Sequence, residues 1–277
     1  MIEGIYGPFA LPFVQRGLLE VLALSVGAGV VGTWIVLRSL AFYSHAVGTA
    51  AFPGLVLAGG LGFAPPIGAL ASAVVFAGGL VRLARGRRSG YDSLTALILV
   101  GMMALGIILA SDVFHSGSDV DTLLFGSLLL IGREDVFFAT VASAVAFFAS
   151  YYFGRTWLAA GFDPDAARSL GLRSVLPDAV LLLLIAVVGT AALAAVGAIL
   201  VTTLLVVPAA TSRLFTRRVL PWQLASVALV VAEGVPGLWL SVQTNAPPGA
   251  TIAVLSGGVF ALSLVARRLR PGGELYR

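Results

Sequence analysis

Glu233 sits midway along the apolar run Trp222–Val242, with Pro236 and Gly237 just beyond it. A carboxyl group at that depth in a bilayer must face protein or a wet cavity. Pro236 removes a helix hydrogen bond and frees a carbonyl nearby, and a carboxylate beside a free carbonyl suits a cation path. The competing reading is a protonated Glu233 hydrogen-bonded to a neighbouring helix. His45, next to Ser44, lies at the mouth of another apolar run. A neutral imidazole there can ligate a metal through one nitrogen; the competing reading is an interfacial histidine bonded to backbone. Glu20 lies about one turn into the first apolar run, and Asp92 opens the fourth near the positive end of its helix. Asp112, His115, Asp119 and Asp121 gather in one polar stretch, which either attracts divalent cations or is a solvated loop.

The missing residue types exclude as much. There is no cysteine, so a disulfide framework, an iron–sulfur site and a thiolate zinc site are out. His45 and His115 are the only histidines, too few for a multi-histidine cage. All 17 basic side chains are arginine, and a Walker A phosphate loop requires lysine. The chain therefore carries no standard nucleotide loop of its own.

The elements that must hold these residues are membrane helices. Of 277 residues, 59% are hydrophobic and only 11% charged, against about 25% charged in a soluble domain. That excludes a soluble enzyme, and the apolar excess excludes disorder. The expected fold is all-α: a polytopic helical membrane protein with about eight or nine spans of roughly 20 residues. The apolar runs are Gly17–Leu37, His45–Phe63, Ile67–Leu83, Asp92–Ala110, Val136–Phe153, Ala179–Leu214, Trp222–Val242 and Ala250–Val265. Thr122–Ile131 is too short to span and reads as re-entrant or interfacial. Ala179–Leu214 is too long for one span. It suits two short ones turning near Ala194–Gly197, or one tilted helix with a re-entrant piece. Gly54, Ala58, Gly101 and Gly197 suit close helix packing.

Arginine placement gives the orientation. In the nine-span reading, the Arg85–Arg88 loop and Arg38, Arg155, Arg168, Arg173, Arg213, Arg217, Arg218, Arg267, Arg268 and Arg270 share the cytoplasmic side. Only Arg16 and Arg133 fall outside, which puts the N-terminus out and the C-terminus in. Residues 1–277 read as one membrane domain with a cytoplasmic loop over 154–177. In that loop Asp163 suits an N-cap and Pro164 a first helical position. The short helix would carry Ala167 and Arg168 and be capped by Gly171. Such a helix is either a surface element or a lever for a cytoplasmic partner. No soluble domain is available to present a groove to nucleic acid.

Five runs together resemble one family. They are VLRSLAFYSHAVGTAAFPGLVLA (36–58), DTLLFGSLLLI (121–131), FDPDAARSLGL (162–172), VGAILVTTLLVVPAATSRLF (196–215) and the Ser-x5-Pro-x-Gly ending at Gly249. In this order, across Phe13 to Arg267, they resemble the metal-ion ABC permeases, membrane subunits of zinc and manganese importers. The resemblance implies a homodimer in the bacterial plasma membrane, with the pathway formed between spans. It implies a cytoplasmic ATP-binding subunit docked on the loop containing Asp163, Pro164, Ala167, Arg168 and Gly171. An extracytoplasmic metal-binding protein would deliver the ion. The family's Asp-x-x-Ser-His motif matches at Ser44 and His45, but its Asp position holds Ala41. The family's Asp-x-Pro-x-Gly holds Asn245 in place of Asp. His45, Ser44, Glu233 and Asn245 are thus the pathway candidates, with His45 and Glu233 as metal ligands. Histidine and the loss of carboxylates rank zinc first and manganese second as transported ion, with ATP used only by the partner. The competing classes are an ion- or proton-coupled secondary carrier using Glu233, for which no inverted repeat is evident, and a passive membrane scaffold.

Overall fold

The computed structural model describes residues 11–84, 91–113, 131–163, 169, 175–197 and 201–269. Among these residues every regular element is helical. The order is α1 Pro12–Leu37, α2 Ala41–Ala50, α3 Phe52–Leu61, α4 Pro65–Ala84, α5 Tyr91–Ile108 with a π turn at Leu109–Val113, and α6 Arg133–Phe162. Then come α7 Val175–Ala191, the single turn α8 Leu193–Val196, α9 Val201–Arg213, α10 Val219–Thr244 and α11 Pro248–Leu269.

Seven helices among the described residues are long and apolar enough to cross a bilayer, counting α2 and α3 together as Ala41–Leu61. Pro53 explains the break between those two. It has no N–H to offer the Thr49 carbonyl, and the helix restarts at Phe52. The long apolar run over 179–214 resolves into α7 and α9, of 17 and 13 residues. Gly197, at φ 80°, ends α8 in a positive-φ conformation that favours glycine. Leu182 near the start of α7 meets Tyr43, and Gly189 further on meets Val47, so α7 runs alongside α2. The C-terminal end of α9 meets the start of α10 through a Ser212–Ser226 hydroxyl pair at 2.8 Å and a bond from Trp222 Nε1 to the Ala209 carbonyl at 2.7 Å.

The loop expected over 154–177 is shorter. Residues 154–162 continue α6, and α7 already starts at Val175, so 163–174 remain between them. Hydropathy falls after Phe153 although the helix continues to Phe162. Trp157 is fully buried, and its indole N–H donates to the Pro177 carbonyl at 2.8 Å. Pro177 is tolerated in the first turn of α7, where an N–H would have no intrahelical acceptor. At the other end of α6, Asp135 accepts the Gly132 N–H at 2.8 Å, and Glu134 and Asp135 sit at the positive end of the dipole. The expected re-entrant segment 122–130 and the polar cluster His115, Asp119 and Asp121 lie outside the described residues, as does the Asp112 side chain.

The core is organised around α1, which packs against α6, α9 and α10. Three glycines make this possible. The Gly27 N–H donates to Ser143 Oγ of α6 at 3.2 Å. A Cβ on Gly29 would stand 2.6 Å from the Val227 backbone N of α10, and one on Gly32 would strike the Leu205 carbonyl of α9. Polar side chains lock the same helices: Trp34 Nε1 and Gln223 Nε2 both donate to Ser150 Oγ, at 2.7 and 3.2 Å. Gly54 and Gly68 allow the same closeness between α3 and α4, whereas Gly101 faces open space. Gly29→Ala is therefore expected to destabilise the fold by about 1–3 kcal/mol through overpacking. Gly101→Ala should be close to neutral. Thermal unfolding of the detergent-solubilised proteins, followed by tryptophan fluorescence, checks the contrast.

Candidate functional site

His45 is held in place by its neighbours on α2. Tyr43 points into the core and donates its hydroxyl to the Leu182 carbonyl of α7 at 3.1 Å, and it stacks on Phe76 of α4. Four residues after His45, Thr49 donates back to the His45 carbonyl at 3.2 Å. The imidazole itself is half-buried and turns to α9, with Nδ1 3.4 Å from Thr202 Oγ1. Beneath it, Gly189 of α7 brings Val47 of α2 and Val201 of α9 to one point, at 3.6 and 3.5 Å from where its Cβ would be. Three helices thus meet at Gly189, Val47 and Val201, and the last two are close in sequence to His45 and Thr202. Ser44 is fully buried, and its Oγ has no partner among the described residues. Ala41 is exposed and shares a helix face with His45, four residues on.

Glu233 occupies a different layer. It is 3% exposed and bonded to Ser256 of α11 through Oε2, while Oε1 has no partner among the described residues. One turn further, Thr251 Oγ1 donates to the Gly237 carbonyl at 2.8 Å, so α10 and α11 are stitched at two successive turns. The α10 helix runs through Pro236, whose missing N–H frees the Ala232 carbonyl. Gly234 lies against Val21, which places Glu233 level with Glu20, itself fully buried on α1. His45, by contrast, follows the opposite end of α1. At 1.5 Å of rise per residue the two layers are on the order of 10 Å or more apart in depth. His45 and Glu233 therefore do not meet in one coordination sphere, and no group of three or more His, Cys, Asp or Glu side chains comes together among the described residues.

Asn245 joins neither layer. It is exposed and ends α10 in the left-handed conformation, φ 51° and ψ 32°, with the Ala246 N–H closing on the Ser241 carbonyl at 3.2 Å. Asn is among the few residues that adopt this stop readily, so a backbone requirement accounts for the residue type. Asp163 is extended, φ −148° and ψ 96°, immediately after α6. Pro164, Ala167, Arg168 and Gly171 lie outside the described residues, and Ser169 between them is helical. Sequence reasoning missed Thr202 and Ser256. They lie 157 and 23 residues from their partners, beyond any local spacing rule.

The ABC 3 transport family matches residues 10–267. The chain belongs to that family. It is 31% identical over 252 residues to the manganese transport system membrane protein MntC of Halalkalibacterium halodurans, covering 91% of this chain and 86% of that one. It is 27% identical over 270 residues to a probable iron transport system membrane protein of Haemophilus influenzae, covering 98% and 99%. Among solved structures, PsaBC from Streptococcus pneumoniae in complex with Fab superposes with a TM-score of 0.85 at 26% identity, over 99% of this chain and 98% of that one. The protein is thus a multi-pass permease subunit of a metal ABC importer in the bacterial inner membrane, and ATP hydrolysis belongs to a separate subunit. That membership sets aside the ion-coupled secondary carrier and the passive scaffold.

The Glu233–Ser256 contact makes a specific demand. Ser256→Ala removes the hydroxyl donor from a buried carboxyl group and is expected to cost about 1–3 kcal/mol. Ser256→Thr, which keeps the donor, should retain most of the stability. Melting temperatures of the two purified variants decide it.

Proposed function

We propose that this permease moves a divalent first-row transition-metal ion inward, with manganese as its cargo. His45 is the nitrogen donor on the route, and Glu233 is a separate carboxylate station in another layer. The observation that carries the reading is the half-buried His45 of α2 turned to α9, with Thr202 Oγ1 3.4 Å from its Nδ1, beside the point where α7 meets Val47 and Val201. The names of the two similar proteins, a manganese and a probable iron transport protein, support an ion of this class. Oxygen donors such as Glu233, Thr202 and Ser44 suit manganese. Zinc is the second reading, favoured by His45 and by Ala41 where the family pattern has Asp.

In this reading two copies of the chain flank the pathway. A cytoplasmic ATP-binding subunit docks on the segment Asp163–Gly171 with Pro164, Ala167 and Arg168, and an extracytoplasmic metal-binding protein delivers the ion. ATP binding closes the ATPase pair, the segment transmits the motion, and ligands are lost as access switches sides.

The complex reconstituted in proteoliposomes tests this directly. Manganese-stimulated ATP hydrolysis with manganese uptake is expected, exceeding that with zinc. Zinc uptake exceeding manganese would install the second reading, and no uptake of manganese, iron or zinc would sink both. His45→Ala should abolish uptake while the complex still assembles, and Thr202→Val should reduce uptake roughly tenfold, as the loss of a ligand's hydrogen-bond partner does. Gly171→Pro should leave the complex assembled and stop transport; normal transport would show that the segment is not the lever.

A further inference from the structure

Arg38 closes α1, and its side chain fills the notch between the two helices that bracket residues 163–174. Its Nη2 donates to Asp178 Oδ1 at 2.9 Å, in the first turn of α7. Its aliphatic stem lies over the last turn of α6, where a Cβ on Gly161 would stand 3.1 Å from Arg38 Cδ. The bracketing helices are tied to each other by the Trp157–Pro177 hydrogen bond, and Trp34 of α1 packs edge-on against Trp157 with ring centroids 5.4 Å apart. The end of α1 is therefore gripped from both sides of the segment. Arg38 Nη1 is buried and has no acceptor among the described residues. The guanidinium uses one arm of a fork that binds carboxylates most strongly with two.

The connection from Arg38 to His45 is short and closed by hydrogen bonds. Ser39 takes φ 54°, with bonds from the Ser39 N–H to the Val36 carbonyl at 3.3 Å and from the Leu40 N–H to the Ile35 carbonyl at 2.9 Å. This is a Schellman stop with serine where glycine is usual. It leaves no slack before α2 begins at Ala41, one turn ahead of His45.

We propose that Arg38 and Asp178 are positioning residues that carry displacement of the 163–174 segment into the helix bearing His45. The pair acts as the joint between the ATPase-facing segment and the metal route. The proposal rests on the reading of that segment as the docking element.

The test uses the permease with its ATP-binding subunit and metal-binding protein in proteoliposomes, and reads manganese and zinc transported per ATP hydrolysed. Asp178→Asn and Arg38→Gln are expected to assemble and hydrolyse ATP while this ratio falls roughly tenfold, within the range of ordinary coupling energies. The exchanged pair, Arg38→Asp with Asp178→Arg, is expected to recover most of it; a purely structural loss would lower assembly and leave the ratio unmoved. Single variants with the wild-type ratio overturn the proposal. If the charge variants fail to fold, Trp157→Phe decides, since it removes the donor to Pro177 without changing any charge and keeps an aromatic ring against Trp34. A lowered ratio in that variant supports the joint, and a wild-type ratio overturns it. Metal uptake by the wild-type complex separates the two readings: its absence defeats the proposed function, whereas normal uptake with unaffected variants defeats the joint alone.

Discussion

Close approach of α1 to three helices at once is the constraint on which the rest of the structure depends. In a bilayer, apolar side chains gain little by leaving lipid for protein, so association relies on packing and hydrogen bonds. Gly27, Gly29 and Gly32 turn three sides of α1 to α6, α10 and α9, and each contact reaches backbone or a short side chain. Trp34 and Gln223 converge on Ser150 and hold the same helices by polar bonds. With α1 fixed, its two ends become reference points. Glu20 and Glu233 lie toward one, and Arg38, Asp178 and the start of α2 lie at the other.

The two polar layers differ in how far they are enclosed. The Glu233 layer is enclosed, stitched to α11 by Ser256 and Thr251. The His45 layer is half-open and formed where the short helix α9, of 13 residues, begins beside α2. His45 stands on a helix broken at Ala51 and reached through a tight stop at Ser39. The broken span gives the segment bearing His45 a boundary on either side, at Ser39 and at Ala51.

Much of this fold was legible because lipid leaves a coarse imprint on sequence. The turn expected near Ala194–Gly197 is where α8 ends and Gly197 takes a positive φ. The end of α6 was not legible, since a drop in hydropathy does not mark the end of a helix's hydrogen bonds, and burial of Trp157 is a tertiary fact. Nor was the break at Ala51 foreseen, although Pro53 causes it. At the site, residue type marked His45 and Glu233, but helical depth separates them, and depth depends on register between helices far apart in sequence. Asn245 was read as a replaced ligand, whereas its left-handed backbone gives the residue type a conformational reason.

A doubly charged ion passing between stations at two depths crosses the electric field of the membrane in instalments. Each elementary charge carried through the full potential is worth about 2.3 kcal/mol per 100 mV, so a divalent ion drawn toward a negative interior gains about twice that over the whole path. With His45 and Glu233 on the order of 10 Å apart along a core of about 30 Å, roughly a third of the voltage falls between them. Under the proposed function, the energised membrane biases occupancy toward the inner of these two stations before any ATP is spent. Collapsing the potential shifts the ion back toward the outer one.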